Sequence, residues 1–303
     1  MRSEKQIYDM ILGFAEADER IRMVTLEGSR TNRNIPPDEF QDYDITFFVT
    51  DMQGFTADDE WLNVFGVRLI MQKPEDMELF PAQERGFSYL ILFRDGVKID
   101  LTLLPLDLAE EYFTWDKLVK ILLDKDNRIE QPPEPTDVDY HLQRPTGRMF
   151  DDCCNEFWNT VPYVVKGLCR REILFAIDHM NDIVRKELLR MISWLVGSER
   201  GFDFSLGKNY KFLERYISEE MWNRLMATYR MGSYAQMWES LEQCMALFRE
   251  VSAETARRLG YPYPVYDENV SGYVELQKTK YGQRTGGLAP GSLPEAGHCR
   301  VKA

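Results

Sequence analysis

The 303-residue sequence predicts an α+β fold, with an N-terminal mixed β-sheet and flanking helices followed by a C-terminal α-helical bundle. Short apolar runs with strand periodicity, separated by turn residues, are confined to the first third of the chain. Helical periodicity dominates from about residue 149 onward. We therefore expect two domains, at residues 1–135 and 136–276, and a disordered tail at residues 277–303.

The N-terminal segment predicts an amphipathic helix followed by strands. Ser3 and Gln6 form a capping-box pattern, and a helical stripe of apolar residues follows: Ile7, Met10, Ile11 and Phe14. Strands are predicted at residues 21–27, 42–50, 87–93 and 97–104. The last two form a hairpin around Asp95-Gly96, since Asp-Gly is a typical hairpin turn. Residues 58–65 and 74–84 are predicted to be short helical or irregular pieces.

The second half of the chain predicts helices after a linker. Four prolines and no apolar period mark residues 127–146 as that linker or a surface excursion. Helices are predicted at residues 149–167, 169–196, 207–217, 219–230 and 233–259. The last residues contain Gly and Pro without any period, which is typical of disorder.

Composition restricts the class of protein. The chain carries 50 acidic and 37 basic residues, a formal net charge of -13, which disfavours a nucleic-acid partner and favours a cationic substrate. Solubility alone is an alternative reason for the acidity. No apolar run is long enough to span a membrane, and the N-terminus lacks a secretory signal. Five cysteines without paired spacing predict a reduced, soluble, cytoplasmic protein.

The strongest chemical pattern is LEGSRTNRNIPPDEFQDYDITFFV, at residues 26–49. Gly28 and Ser29 end a strand, and a glycine there allows close backbone approach to phosphate oxygens. Asp42 and Asp44 are two positions apart and therefore share one strand face. Two adjacent carboxylates repel each other unless a cation lies between them, and Mg²⁺ prefers such oxygen ligands. Taken alone, each motif also fits an ordinary loop or cap.

A third carboxylate, Asp100, lies on the last predicted strand and shares a face with Lys98 and Thr102. A neighbouring strand would bring it beside Asp42 and Asp44. Three acids on adjacent strands can hold two metal ions roughly 3.5–4 Å apart, an arrangement suited to phosphoryl or nucleotidyl transfer.

The order of these motifs resembles the polymerase-β-like nucleotidyltransferase superfamily. More specifically, LEGSRTN, QDYDITFFV, KIDLTLLPL, FDDCCNEFW, AIDHMNDIVR and GKNYKFL resemble the aminoglycoside 6-adenylyltransferases, which inactivate streptomycin. The resemblance covers about residues 5–276. The proline-rich stretch at 131–146 and the tail after residue 276 depart from the family's pattern.

The resemblance implies a reaction and a set of site residues. AMP would pass from Mg-ATP to a streptomycin hydroxyl, at the 6-position, with release of pyrophosphate. The residues expected to bind the ATP phosphates are Gly28, Ser29, Arg30 and Lys208. Arg33 is an alternative to Arg30, and either arginine could be a solvated loop residue. Two Mg²⁺ ions are expected on Asp42, Asp44 and Asp100. Asp100 is either the third ligand or the base that deprotonates the acceptor.

Two acidic pairs in the helical half are candidates for binding a cationic substrate. Asp152 and Glu156, and likewise Asp178 and Asp182, are four residues apart and share a helix face. Like charges at this spacing destabilise a helix slightly, so a positive partner is expected. That partner is either the guanidinium-bearing substrate or a local basic side chain; those near the second pair are Arg170, Arg171, Arg185 and Lys186.

Lys208 follows Gly207 at a predicted helix start, where the helix dipole favours anions; a solvated lysine is the alternative. Three functions remain open at this point. The first is an aminoglycoside adenylyltransferase. The second is a related nucleotidyltransferase that acts on another small molecule or on a protein hydroxyl, as in toxin–antitoxin modules. The third is an inactive nucleotide-binding sensor.

Overall fold

The chain divides into two units between His141 and Leu142, in a computed structural model that describes residues 2–79 and 85–282. The first unit combines a mixed sheet with helices, and the second is helical, so the predicted α+β class is confirmed. The predicted domain boundary after residue 135 falls shortly before this division.

Six strands form one sheet in the first unit. They are β1 (Ile21–Glu27), β2 (Tyr43–Val49), β3 (Arg68–Gln72), β4 (Phe87–Phe93), β5 (Lys98–Pro105) and β6 (Val119–Asp124). Their order across the sheet is β3-β4-β5-β2-β1-β6. β2 and β5 pair in parallel, whereas the other neighbours pair antiparallel. The parallel pair places the start of β2 beside the start of β5, which is where the predicted carboxylates lie.

The four predicted strands and the hairpin are confirmed, but β3 and β6 were missed. Both lie at the edges of the sheet. In β3, Leu69 and Ile70 are exposed neighbours instead of alternating inward and outward. An edge strand lacks the alternating burial that gives a strand its period-2 signal.

One face of the sheet is covered by helix α1 (Glu4–Ala17). The predicted capping box is confirmed, because the Ser3 hydroxyl accepts from the Gln6 amide and the Gln6 side chain accepts from the Ser3 amide. Buried Ile7 and Ile11 belong to the same apolar cluster as the inward side chains of β2 and β5. Packing on this face leaves the opposite face available for polar residues.

Short elements connect the strands. They are α2 (Met52–Thr56), α3 (Ala109–Tyr112) and single 3₁₀ segments at Glu60–Phe65, Pro74–Asp76, Leu106–Leu108 and Val138–Tyr140. The prediction of short helical pieces at 58–65 is confirmed. Of the stretch predicted at 74–84, residues 80–84 lie outside the described residues.

Helices make up the second unit. They are α4 (Gly147–Arg170), α5 (Ile173–His179), α6 (Arg185–Arg200), α7 (Glu219–Ala227), α8 (Tyr234–Leu259) and α9 (Tyr266–Tyr281). They enclose a separate apolar core centred on Phe157, Trp158 and Phe248. No helix in the described part of the chain is both long and apolar enough to cross a membrane.

Two helical predictions are corrected. The helix predicted at 169–196 is interrupted at Arg171, whose φ of 64° ends α4, and by a π-helical segment at Met180–Val184. The helix predicted at 207–217 consists of two short 3₁₀ turns, at Lys208–Tyr210 and Leu213–Arg215.

The predicted disordered tail begins too early, because α9 continues to Tyr281. The remaining part of that tail, residues 283–303, lies outside the described residues. Helix α9 was missed because its polar composition gives only a weak apolar stripe, with Val274 the one apolar residue that it buries.

Candidate active site

A row of carboxylates crosses the polar face of the sheet. Asp44 on β2 is in register with Asp100 on the parallel strand β5 and with Glu27 on the antiparallel strand β1. Residues in register on neighbouring strands project from the same face. The expectation that a neighbouring strand brings Asp100 beside Asp44 is therefore confirmed. Glu27 is an additional acid that the sequence did not single out.

Lys98 joins two of the predicted acids. Its Nζ lies 2.9 Å from Asp42 Oδ2 and 2.6 Å from Asp100 Oδ2. Burial disfavours the charged ammonium, but the hydrogen bonds to Asp100 and Asp42 outweigh it and raise the pKa of Lys98. Within residues 2–79 and 85–282, no group of three or more His, Cys, Asp or Glu side chains stands in a metal-holding arrangement. Here the positive charge between the carboxylates comes from the lysine.

Asp44 lies in an environment that disfavours a charged carboxylate. Burial, followed by repulsion from Asp100 and Asp42, raises its pKa to about 6. Asp100 Oδ1 is buried and has no hydrogen-bond partner in the described part of the chain. Both carboxylates would therefore be stabilised by a further cation on this face.

Glu27 is enclosed by hydroxyl groups. Thr25 Oγ1 donates to Glu27 Oε1 over 2.9 Å. Burial raises the pKa of Glu27 to about 7, although hydrogen bonds from Tyr112, Thr46 and Thr25 favour its charged form. The only sequence signal for this residue is its position at the end of β1, directly before Gly28.

Gly28 allows the strand end to approach Asp44. Its φ is 67°, and a Cβ at this position would lie 2.7 Å from Asp44 Oδ2. The Gly28 amide donates to the Leu118 carbonyl over 3.0 Å, and residues 28–30 then form one 3₁₀ turn. The end of the strand at Gly28 is confirmed, and Ser29 lies in the tight turn that follows it.

Arg30 holds the backbone that precedes β2. Its Nε donates to the Asp42 carbonyl over 2.9 Å, and its Nη2 donates to the Gln41 carbonyl over 2.8 Å. The guanidinium carbon lies 3.6 Å from the centre of the Tyr43 ring. The side chain is only 10% exposed and also pairs with Glu4. Arg30 thus positions the backbone of Asp42, and its contact with a phosphate stays a prediction.

The loop after Ser29 is anchored by a residue from the predicted linker. Asp137 is buried and accepts hydrogen bonds from Asn32 Nδ2 at 3.2 Å and Asn34 Nδ2 at 3.0 Å. His141 Nε2 lies 3.0 Å from Asp137 Oδ1. Burial opposes the charge of Asp137, but these three hydrogen-bond partners together lower its pKa. Residues 136–141 are therefore part of the site's support, a role that the sequence pattern did not reveal.

In the second unit, Asp152 and Glu156 line a cavity of about 350 Å³. Glu187, Arg190 and Trp194 from α6 line the same cavity. The sequence did not identify these three residues, because their proximity to α4 depends on helix packing. The cavity combines carboxylates with an aromatic wall, which suits a cationic, partly apolar ligand.

The other acidic pair does not join this cavity. Asp178 lies on α5 and Asp182 in the π-helical segment, and neither is among the described residues that line the cavity. Asp182 forms an exposed ion pair with Lys186, with 3.7 Å between its Oδ1 and the lysine Nζ. Local pairing, the alternative considered for this acid, is the arrangement observed.

Lys208 is exposed and begins a single 3₁₀ turn instead of a helix. The next two residues, Asn209 and Tyr210, have φ values of 56° and 60°. A single turn has no substantial dipole, so the helix-terminus reason for phosphate binding at Lys208 is corrected.

Comparison with known proteins gives the same family as the sequence motifs. Residues 1–277 match the sequence model of the family described as streptomycin adenylyltransferase. An aminoglycoside 6-adenylyltransferase of Campylobacter jejuni is 76% identical over 282 residues, which is 93% of this chain and 98% of that protein. One from Bacillus subtilis (strain 168) is 58% identical over 277 residues, covering 91% and 98%.

A solved structure is also similar in sequence. The crystal structure of an aminoglycoside 6-adenyltransferase from Bacillus subtilis shares 52% identity, with coverage of 91% of this chain and 99% of that chain and a TM-score of 0.46. The family match over residues 1–277 and the two curated relatives are each sufficient for assignment. The chain therefore belongs to the streptomycin adenylyltransferase family.

Proposed function

We propose that this chain transfers AMP from Mg-ATP to a hydroxyl of an aminoglycoside, with the 6-hydroxyl of streptomycin as acceptor, and releases pyrophosphate. Family membership makes the chain an adenylyltransferase enzyme. The observation that supports this particular site is the register of Asp44 with Asp100, beside the Gly28 turn. We also propose that the enzyme acts in the cytoplasm, where ATP is available.

Magnesium fits the donors at this site. Asp42, Asp44 and Asp100 supply hard oxygen ligands, and the buried Oδ1 of Asp100 lacks a partner in the described part of the chain. We propose that these three residues hold two ions. Bound there, magnesium would neutralise phosphate charge and lower the pKa of the acceptor hydroxyl.

The residues of the chain then have distinct roles. The acceptor oxygen forms a bond to the α-phosphorus while the bond from that phosphorus to pyrophosphate breaks. Asp100 either receives the acceptor proton or acts as the third ligand. We propose that the Ser29 hydroxyl, presented by the turn at 28–30, and the exposed Lys208 bind phosphate oxygens. Arg30 contributes by fixing the backbone of Asp42.

The acidic cavity of the second unit is proposed to bind the antibiotic. Glu156 provides a carboxylate, and Trp194 provides an aromatic wall. Asp152 and Glu187 also line the cavity and pair with Arg148 and Arg190. Guanidinium and ammonium groups form charge-assisted hydrogen bonds with carboxylates. Asp178 and Asp182 remain a second proposed contact, supported only by their charge and exposure.

The test is the Asp42→Asn and Asp44→Asn variants, assayed by magnesium-dependent pyrophosphate release with streptomycin and with kanamycin. Each variant should lose roughly a hundredfold or more in rate, because a metal ligand contributes several kcal/mol to such a reaction. Asp9→Asn, which removes an exposed carboxylate paired with Lys5, should retain the wild-type rate.

Near-wild-type transfer by Asp44→Asn would contradict the proposed site. Pyrophosphate release by the wild type with kanamycin but not with streptomycin would reject the acceptor and leave nucleotidyl transfer intact. ATP binding without any release would favour a nucleotide sensor.

A further inference from the structure

Lys98 lies where the proposed site needs a cation. Its Nζ bridges Oδ2 of Asp42 and Oδ2 of Asp100 at 2.9 and 2.6 Å. Lys98 and Asp100 are two residues apart on β5 and share a face, whereas Asp42 comes from the segment before β2. The ammonium is therefore the link that joins the two carboxylates across neighbouring strands.

The bridge opposes a second cation on the same two carboxylates. Lys98 holds their Oδ2 atoms, and a divalent ion on the remaining oxygens would still lie close to the ammonium and be repelled by it. The lysine and a metal ion therefore compete for Asp42 and Asp100. Asp44 does not take part in the bridge, which leaves it repelled by both neighbouring acids.

A cavity beside Lys98 offers its side chain a second position. Together with Asp42, Lys98 lines this cavity of about 580 Å³ on this unit. Asp38 and Glu39 line the same cavity, together with Glu4, which pairs with Arg30. A displaced ammonium would therefore enter a space lined by acidic as well as basic side chains. The side chain is 37% exposed, which leaves it enough freedom to move.

We propose that Lys98 is a built-in competitor for the divalent cation, pairing with Asp42 and Asp100 until the cation displaces it. This inference rests on the metal assignment of the proposed function. Lys98 thereby keeps the two carboxylates in place and weakens metal binding in the absence of nucleotide. A nucleotide that brings its own phosphate ligands would overcome this competition.

The experiment measures Mn²⁺ affinity of the nucleotide-free enzyme, using electron paramagnetic resonance of the unbound ion. The Kd of Lys98→Met should be about tenfold or more lower than that of the wild type, since one competing positive charge is removed. Lys98→Arg retains the charge and should bind Mn²⁺ about as weakly as the wild type. The matched control is Lys5→Met, which removes an exposed lysine from its pair with Asp9 and should leave the Kd unchanged.

The double variant Lys98→Met/Asp42→Asn tests whether the Mn²⁺ ion bound by Lys98→Met lies at these carboxylates. This double variant should not show the increased Mn²⁺ affinity, because Asp42 carries one of the two carboxylates that the lysine releases. Circular dichroism of each variant checks that it is folded, and Lys98→Gln takes the place of Lys98→Met if the latter does not fold. A Kd for the neutral variant that equals or exceeds the wild-type value would overturn the inference.

Failure of this inference is distinguishable from failure of the proposed function. Unchanged Mn²⁺ affinity in Lys98→Met, with normal AMP transfer by the wild type, would reject only the competitor role. Tighter Mn²⁺ binding in Lys98→Met, with no AMP transfer by the wild type, would support the competitor role and reject the proposed reaction.

Discussion

The backbone of Gly28 lies closer to Asp44 than any other residue type would permit. A Cβ at Gly28 would be 2.7 Å from Asp44 Oδ2, and the φ of 67° is strained for a residue with a side chain. The glycine therefore serves two purposes at once, because it makes the turn and leaves space for the carboxylate.

Gly28→Ala should lower the rate of AMP transfer by roughly a hundredfold, because a displaced Asp44 no longer lies in the carboxylate row. It should also lower the free energy of unfolding by about 1–2 kcal/mol, from the left-handed backbone alone. Steady-state kinetics and urea denaturation measure the two effects.

Gly260→Ala is the matched control. Gly260 also has a positive φ, 77°, but nothing lies within 4 Å of a Cβ placed there. This variant should show the same loss of stability and an unchanged rate. Equal losses of rate in both variants would mean that backbone strain, and not the contact with Asp44, matters at Gly28.

Strand periodicity predicted where Asp44 and Asp100 lie, because side-chain direction in a strand follows from spacing alone. It could not predict that Lys98 reaches Asp42, since Asp42 precedes β2 and is positioned by Arg30. For the same reason, the sequence could not predict the hydrogen bonds of Arg30 to the Gln41 and Asp42 carbonyls. A loop side chain has no periodicity from which its direction can be read.

At the scale of elements, the hairpin of β4 and β5 is tied to the N-terminal segment. Arg2 Nε donates to Asp95 Oδ2 over 2.7 Å, and the Arg2 amide donates to the same oxygen over 3.1 Å. These bonds from Arg2 lower the pKa of Asp95 to about 2, although burial opposes the shift. Asp95 precedes Gly96, so the ion pair and the turn involve the same residue.

Asp95→Asn should lower the free energy of unfolding by about 2 kcal/mol at pH 7, from the difference between a pKa of about 2 and the ordinary value of 3.8. Asn-Gly is as suitable a hairpin turn as Asp-Gly, so the turn itself is preserved. Because the folded pKa is lowered, the stabilisation is complete above about pH 5 and is lost as the pH falls toward 2.

Urea denaturation of both proteins between pH 7 and pH 3 measures this effect, and the difference should shrink toward the acid end. Asp9→Asn removes an exposed ion pair and should change the stability by less than about 0.5 kcal/mol. A difference between Asp95→Asn and wild type that stays constant with pH would contradict the ion-pair explanation.

Elements with strong periodicity or a dense apolar run were predicted, and those with neither were not. Strand β5 alternates buried and partly buried residues, β2 is an almost continuous buried run, and α4 and α8 each bury one helical face. The turns at 208–215 contain apolar residues too, but positive φ values at Asn209 and Tyr210 prevent a helix. That backbone conformation is set by packing within the second unit, which a local pattern does not contain.

At the scale of the whole molecule, the two units have separate apolar cores. The sequence predicted this division, because its period changes from that of strands to that of helices. The predicted boundary lies before residues 136–141. These residues belong to the first unit, where Asp137 accepts a hydrogen bond from Asn32. The net charge of -13 favours a cationic substrate without saying where it binds. The sequence offered nearby basic partners for Asp178 and Asp182, but only helix packing shows that Asp152 and Glu156 line a cavity.

Glu156→Gln should raise the KM for streptomycin about tenfold, since a charge-assisted hydrogen bond contributes roughly 1.5 kcal/mol or more. Glu156 lines the acidic cavity, whereas Asp152, beside it, pairs with Arg148 over 2.9 Å. The KM for ATP should remain unchanged, because the variant retains the shape of the side chain and Glu156 is not among the residues proposed to bind the ATP phosphates or the metal ions. Glu250→Gln, which removes a carboxylate that pairs with Arg224 and belongs to neither acidic pair, is the matched control and should leave both KM values near wild type. A rise in the streptomycin KM with Asp178→Asn but not with Glu156→Gln would assign the antibiotic to the other acidic pair.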